Sequence, residues 1–233
     1  YNKDDLDDYA NDVAVDSEDN FVVVGSVIID ATVDHHNWVV RKYRNDGTLL
    51  WATEYDYAGG SDQAQFVTID SDDNIIVSGN RRNALPEDDN DWYMVKYAKD
   101  GDGDGGADVL WEQSWDPGDS THGVAYQAVL DGLDNFYTVG AQQQTSVVTP
   151  VYTDRYRAVL QYRDGQTGDL ISIQNIPLDP TANNKPALEH DYLRTLALDG
   201  AQLTLAGYTQ QDGGYSVTRG GTGRVVMLTL SPF

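Results

Sequence analysis

The sequence predicts an all-β protein: a β-propeller with four recognisable four-stranded antiparallel blades, forming either a closed four-bladed ring or part of a larger propeller. Three observations carry that expectation. A pair of apolar strands around a polar turn recurs as VAVDSEDNFVVVG (13–25), VTIDSDDNIIVSG (67–79), AVLDGLDNFYTVG (128–140) and, shortened, LALDGAQLTLAG (196–207). The closing glycines are 54, 61 and 67 residues apart, room for a blade of about 40 to 50 residues plus insertions. No segment carries the helical apolar period.

In the first copy strands are expected at 13–16, 21–25, 38–43 and 49–55, and in the second at 66–70, 75–79, 92–97 and 109–115. Runs such as Phe21-Val22-Val23-Val24 and Ile75-Ile76-Val77 are β-branched or aromatic and bounded by turn residues, the pattern of strands buried between sheets. Asp19-Asn20, Asp73-Asn74 and Asp134-Asn135 suit the first hairpin, because Asp and Asn tolerate positive φ and bond their own backbone. Asn45-Asp46-Gly47 closes the outer hairpin of the first copy. The glycine ending each second strand is read as close backbone approach between blades. The expected blades are approximately 9–56, 62–116, 123–177 and 191–233, within one domain spanning 1–233.

These residues resemble the bacterial beta-propeller repeats called SBBP repeats, which occur in secreted and surface proteins. The likeness rests on Asp16, Asn20 and Gly25 followed by Trp38-Val39-Val40-Arg41-Lys42-Tyr43 and Gly47, Leu50-Trp51. It recurs on Asp70, Asn74 and Gly79 with Asp91-Trp92-Tyr93-Met94-Val95-Lys96-Tyr97 and Leu110-Trp111. The third copy departs, with Ala158-Val159-Leu160-Gln161-Tyr162 and Leu170 where Trp would fall. The fourth stops after Arg224-Val225-Val226-Met227-Leu228. The resemblance implies a scaffold and a secreted or cell-surface location; it leaves function open.

Composition narrows the classes. At 233 residues and 40% hydrophobic, the chain can bury the core of one repeat domain. It has no cysteine, which excludes disulfides, thiol catalysis, Cys-ligated zinc and iron–sulfur clusters. No run of about 18 apolar residues is present, so membrane insertion is not expected. A formal charge of −23, from 38 acidic against 15 basic residues, opposes nucleic-acid binding and docking on anionic lipid, and attracts cations. The chain opens at Tyr1 without Met, and YNKDDLDDYANDV aligns with an outer strand running into the next blade. The expectation is a mature or trimmed piece whose N-terminal segment completes the last blade or joins further blades. An unclosed ring would expose a sheet edge, which invites a partner strand.

One acidic cluster is specific. Asp100-Gly101-Asp102-Gly103-Asp104-Gly105-Gly106-Ala107-Asp108 fits DxDxDGxxD. Calcium takes about six to eight oxygens, and carboxylates at loop positions 1, 3, 5 and 9 with a carbonyl at 7 can supply them. Asp100, Asp102, Asp104 and Asp108 are therefore the expected side-chain ligands, and Gly106 the carbonyl ligand, of a structural Ca2+. The spacing resembles the calcium loops of integrin alpha-subunit propellers; the helix of an EF-hand is missing, and Glu112 stands one place past its position 12. The competing reading is a Gly/Asp-rich loop without metal. Four close carboxylates repel one another unless a cation joins them.

Length variation concentrates on one rim: 27–37, 80–91, 141–155 and 208–223 between second and third strands, and 56–63, 116–123 and 178–191 between blades. Such loops hold whatever recognition a rigid fold performs. Tyr152, Tyr156, Tyr208 and Tyr215, with Arg81, Arg82, Arg155 and Arg219, suit a protein or carbohydrate partner, including other chains of an extracellular assembly. His35, His36, His122 and His190 fall on the same rim, either lining a pocket or as unrelated surface residues. Trp38, Trp92, Trp51 and Trp111 recur in register and read as inter-blade packing, which leaves Trp115 outside the scheme.

Two functions remain open. One is a non-catalytic binding or assembly module, for adhesion or scaffolding, stiffened by calcium. The alternative is an extracellular propeller enzyme acting on polysaccharide, a glycoside hydrolase or lyase, which for hydrolysis needs two acids about 5 to 10 Å apart. Asp16, Asp70, Asp131 and Asp199 recur in every copy and read as turn anchors; no catalytic residue is assigned.

Overall fold

A computed structural model describes residues 7–30, 35–82, 90–116, 122–148, 151–176, 189–200, 202–211 and 224–230. They contain no helix and form fifteen strands in four antiparallel sheets. The first sheet is β1 (Asp8–Val15), β2 (Phe21–Asp30), β3 (His35–Tyr43) and β4 (Leu49–Tyr55). The second is β5 (Gln63–Ile69), β6 (Ile75–Arg82), β7 (Asn90–Tyr97) and β8 (Val109–Trp115). The third is β9 (Gly123–Leu130), β10 (Phe136–Val148), β11 (Val151–Arg163) and β12 (Leu170–Ile176); the fourth is β13 (Glu189–Asp199), β14 (Gln202–Gln211) and β15 (Arg224–Leu230). Each sheet is a meander with its strands in sequence order. The sheets pack face to face in series, first on second, second on third, third on fourth, and the described residues do not close them into a ring. β1 pairs within the first sheet rather than completing the fourth; residues 1–6 lie outside the described set.

In the first three sheets the turn between first and second strands is built on one aspartate. Asp16 Oδ1 accepts the amides of Glu18 (3.0 Å) and Asn20 (2.8 Å), and Oδ2 accepts Asn20 Nδ2 (3.0 Å). Asp70 does the same for Asp72 and Asn74. The residue before each Asn takes positive φ, 63° at Asp19, 67° at Asp73 and 62° at Asp134, the left-handed region that Asp tolerates. A lysine from the third strand completes the anchor: Lys42 Nζ to Asp16 Oδ2 at 2.8 Å and Lys96 Nζ to Asp70 Oδ2 at 2.7 Å, all four side chains at most 3% exposed. In the third sheet Tyr162 stands in the lysine's place and donates its hydroxyl to Asp131 Oδ2 at 2.7 Å. Burial raises the carboxyl pKa of Asp16 and Asp70, but the lysine, asparagine and amide donors outweigh it and hold both below the usual value.

The first strand of every sheet carries a bulge at the same place, where the register passes over Asn11, Gln65, Tyr126 and Arg194. The recurring glycine lies beside it. A Cβ on Gly25, Gly79, Gly140 or Gly207 would overlap the carbonyl oxygen of Tyr9, Gln63, Val124 or Tyr192 respectively. The close approach expected between blades is therefore first of all within each sheet. Between sheets the same glycine is the seat of an indole: Trp38 lies against Gly79 and Trp92 against Gly140.

Three apolar cores follow from this stacking. Val22, Val24, Trp38, Val40 and Trp51 meet Ala64, Val67, Ile75, Val77, Tyr93, Val95 and Tyr97 between the first two sheets. Ile76, Trp92, Met94 and Trp111 meet Ala125, Ala128, Phe136 and Val159 between the next pair. Tyr137, Val139, Ala158, Leu160 and Ile176 meet Leu193, Leu196, Leu203 and Leu205 in the last. Thus each sheet presents one face to the next and receives the previous sheet on the other. Trp115, expected outside the packing scheme, occupies the register position of Tyr55 and packs edge-on against Trp92 at 5.1 Å. The strand register also places Ser172, not Leu170, where Trp51 and Trp111 stand.

Polar clasps recur at these junctions. Lys42 Nζ and Trp51 Nε1 both donate to the Lys99 carbonyl of the next sheet (3.0 and 3.1 Å). Lys96 Nζ and Trp111 Nε1 both donate to the Gly165 carbonyl (2.8 and 3.3 Å). At the turns Ser17 gives its amide and hydroxyl to the two carboxylate oxygens of Asp73, and Ser71 does the same to Asp134.

Removing one member of a buried ion pair strands the other charge. Lys96→Met should cost about 3 to 5 kcal/mol of unfolding free energy in urea titrations, with Asp70→Asn in the same chain recovering part of it. The folded pKa values of Asp16 and Asp70 lie below the unfolded value of 3.8. The stability they contribute is therefore present above that pH and is lost as the pH falls through the folded values.

Candidate functional site

The N-terminal ends of β1, β5, β9 and β13 and the connections between second and third strands leave every sheet at the same end, which makes one rim. The segments expected there as loops are largely strand. β10 and β11 pair from Phe136↔Arg163 to Val148↔Val151, so most of 141–155 is a ribbon projecting beyond the sheet. β2 runs on to Asp30, β6 to Arg82 and β14 to Gln211. Thr145, Val147, Val148, Val151 and Thr153 are β-branched, and that local preference favours continuing the ladder.

On the rim between the third and fourth sheets the bulge residues meet. Arg194 lies over the Tyr126 ring, its guanidinium carbon 3.9 Å from the centroid, and also faces Tyr192 and Tyr208 at 5.7 Å each. Arg194 Nη2 donates to Tyr208 Oη at 3.2 Å. Tyr156, Tyr192 and Tyr208 stack in series, with centroids 5.2 and 5.0 Å apart. Burial pushes the Tyr126 phenol up to about 12, with Arg194 opposing it, and pushes Tyr192 up as well. Of the predicted rim residues, Tyr156 and Tyr208 belong to this cluster. Its centre, Tyr126 and Arg194, was not singled out in the sequence; the signal available was that the position holding Asn11 and Gln65 changes chemistry in the third and fourth copies.

A second group sits on the rim of the first two sheets. Arg81 lies over Tyr57 at 4.1 Å and Tyr93 at 5.5 Å, and pairs with Asp91 Oδ2 at 3.3 Å. Tyr55 stacks on Tyr93 at 4.9 Å, and Tyr93 donates to Glu112 Oε2 at 2.6 Å. Beneath them Asp62 is fully buried and accepts the amides of Tyr57 (2.5 Å) and Arg82 (2.9 Å). Burial outweighs those two donors and raises its carboxyl to about 6. Of the other predicted rim residues, Tyr152 and Arg155 lie in β11 with side chains outside the described set; Tyr215 and Arg219 lie outside the described residues.

The histidines with described side chains, His35, His36 and His122, do not assemble into a metal site. His35 Nε2 is 3.4 Å from Asp56 Oδ1, and His36 is buried, with Nδ1 3.5 Å from Ser26 Oγ and its ring tilted on Tyr9. The His122 backbone pairs with Gln143, and the His190 side chain is outside the described set.

The acidic hairpin between β7 and β8 is organised by its own backbone. Gly101, Gly103 and Gly105 take φ of 70°, 84° and 93°, conformations that favour glycine. Asp102 Oδ1 accepts the amides of Asp104 and Gly106 (2.9 Å each), and the Asp102 amide donates to the Gly106 carbonyl at 3.0 Å. The loop is also a junction element. Its Lys99 carbonyl is held by Lys42 and Trp51, and its Gly105 carbonyl accepts the Ala52 amide at 3.1 Å. The donor set suits a hard cation, since Asp100, Asp102, Asp104 and Asp108 are exposed carboxylates. Among the described residues, however, no group of three or more acidic, His or Cys side chains is drawn together as a metal site.

Asp62 yields a pH signature. Its folded pKa of about 6 lies above the unfolded value of 3.8, so the folded state binds the proton more readily. Its contribution to stability therefore falls as pH rises from about 4 to about 6 and is level above that. Asp62→Ala should remove this slope from urea midpoints measured at pH 4 to 7, and carbon-detected NMR should place the Asp62 titration near pH 6, with that of Asp70 below 3.8.

No family model matches the chain, and no curated protein matches it in sequence.

Proposed function

We propose that this chain is a secreted or cell-surface β-propeller module whose work is non-catalytic binding and assembly, with calcium at the outer hairpin between β7 and β8. The observation that carries the reading is the division of labour among equivalent positions. The acids that recur, Asp16, Asp70 and Asp131, are spent on turn amides and on Lys42, Lys96 and Tyr162, which leaves them anchors. The positions that vary stand on the rim, where Asn11, Gln65, Tyr126 and Arg194 occupy one bulge in four chemistries. Bulges commonly re-aim side chains at functional places, and a shelf of tyrosines around an arginine suits protein or carbohydrate ligands.

The calcium reading rests on the donor set of Asp100, Asp102, Asp104 and Asp108 with the Gly106 carbonyl. Bound there, the ion would supply charge neutralisation and hold a loop that already ties the second sheet to Lys42, Trp51 and Ala52 of the first. Isothermal calorimetry with calcium should show binding and a raised melting temperature, both lost in Asp102→Ala; no heat and no shift would remove the metal from the proposal. For the module as a whole, a glycan array and a panel of polysaccharide substrates decide. Retention of one ligand class, weakened about tenfold or more by Arg194→Ala, supports binding at the rim. Turnover abolished by substitution of one rim carboxylate would replace this reading with the polysaccharide enzyme.

A further inference from the structure

The three junctions inside the chain define what a sheet of this repeat needs on its receiving face, and the first sheet presents the same face with nothing on it among the described residues. Val13 is 57% exposed, whereas its register equivalents Val67, Ala128 and Leu196 are 3%, 3% and 5% exposed, each covered by the preceding sheet. Val15 is 63% exposed, and Ala10 is exposed where Ala64, Ala125 and Leu193 are at 0%. Phe21, Val23, Val39 and Tyr43 are half-buried, while Ile75, Val77, Tyr93 and Tyr97 at the same positions are at most 4% exposed. Between these strands runs a mainly apolar groove of ≈ 210 Å3, lined by Tyr9, Ala10, Val23, Val39 and Tyr43 with Asp8 and Arg41 at its polar side, Arg41 standing where the second sheet has Val95.

The polar fittings are present as well. Asp19 holds the positive φ of Asp73 and Asp134 but is exposed, and no described serine reaches its carboxylate as Ser17 and Ser71 reach theirs. The Asn45 carbonyl occupies the place of the Lys99 and Gly165 carbonyls, and no described lysine or indole is bonded to it. Gly25 repeats the glycine that seats Trp38 on Gly79 and Trp92 on Gly140.

Among the described residues the chain's own fourth sheet does not pack on this face, and it lacks the fittings that join the first sheet to the second and the second to the third. In the fourth sheet Gly200 follows Asp199 where Ser17 follows Asp16, Val225 takes the register place of Trp38, and Thr229 that of Lys42. A second copy offers no better partner, because the matching faces of its first two sheets are covered by its own second and third. We infer that the free face of the first sheet is a docking site for one further four-stranded sheet of this repeat, supplied from outside the described residues. That sheet brings a serine after its turn aspartate, a tryptophan at the head of its third strand, and a lysine–tryptophan pair from its third and fourth. The inference concerns the scaffold and stands whether or not the rim binds glycans.

The probe is a copy of residues 9–62 spliced directly ahead of Tyr9, so that the 56–62 link enters β1 as it enters β5. Hydrogen exchange at Val13 and Val15 should slow about tenfold or more relative to the 233-residue chain. The protection should vanish when the added copy alone carries Trp38→Ala and Lys42→Met. Independently of whether the copy folds, Val13→Lys should leave the melting temperature of the 233-residue chain unchanged while Val67→Lys lowers it by several degrees. A Val13→Lys loss in that chain, sedimentation of that chain as a dimer with β1 protected, or β1–β15 crosslinking within a monomer would each assign the face to another occupant and overturn the inference. Unchanged exchange in a folded extended chain would do the same.

Discussion

The architecture depends on a buried electrostatic constraint at the foot of the first two sheets, an aspartate held ionised and satisfied. Asp16 and Asp70 lie where a lone carboxylate would be strongly penalised, and each is met by a lysine, an asparagine amide and two backbone amides. Because the lysine comes from the third strand and the turn from the first and second, one carboxylate fixes three strands in register. The same lysine then reaches across to a carbonyl of the following sheet. Local turn geometry, strand register and sheet-to-sheet spacing are thus coupled through one charge.

Much of this was legible in the chain. Asp16, Asn20 and Gly25 with their repeats predicted the hairpins, and the recurrence of Trp38 with Trp92 and Trp51 with Trp111 predicted inter-sheet packing. Two things were hidden. The segments 141–148 and 151–155 lack the apolar alternation that marks a buried strand, and only their β-branched residues hint at the ladder they form. The bulge lies inside an apolar strand and leaves no trace in a single copy; only comparison of Asn11, Gln65, Tyr126 and Arg194 across copies marks the position where side chains are re-aimed. Site chemistry was less legible than scaffold for the same reason. Repetition identifies what every copy shares, and the residues that break the repetition have no internal template.

The acidic hairpin shows how a sequence motif and a structural role can coincide without being the same statement. Its glycines are needed for the turn and its carbonyls for the junction, whatever its carboxylates hold. The loop that carries the concentration of negative charge is also the loop on which Lys42 and Trp51 close, so ligand occupancy there and cohesion of the first two sheets are physically linked.

The substitution of Gly132 for the serine found in the first two turns has a consequence for how the molecule yields. The third sheet offers its neighbour neither that hydroxyl, nor a lysine, nor an indole; among the described residues the seam is tethered by the Gln127 side chain on the Leu196 amide and by Arg194 over the Tyr126 ring. In a linear array where each unit is held only by those beside it, cohesion is graded along the chain. The seam between the third and fourth sheets is the compliant one, so strain applied to the whole is released there first and the three leading sheets survive together.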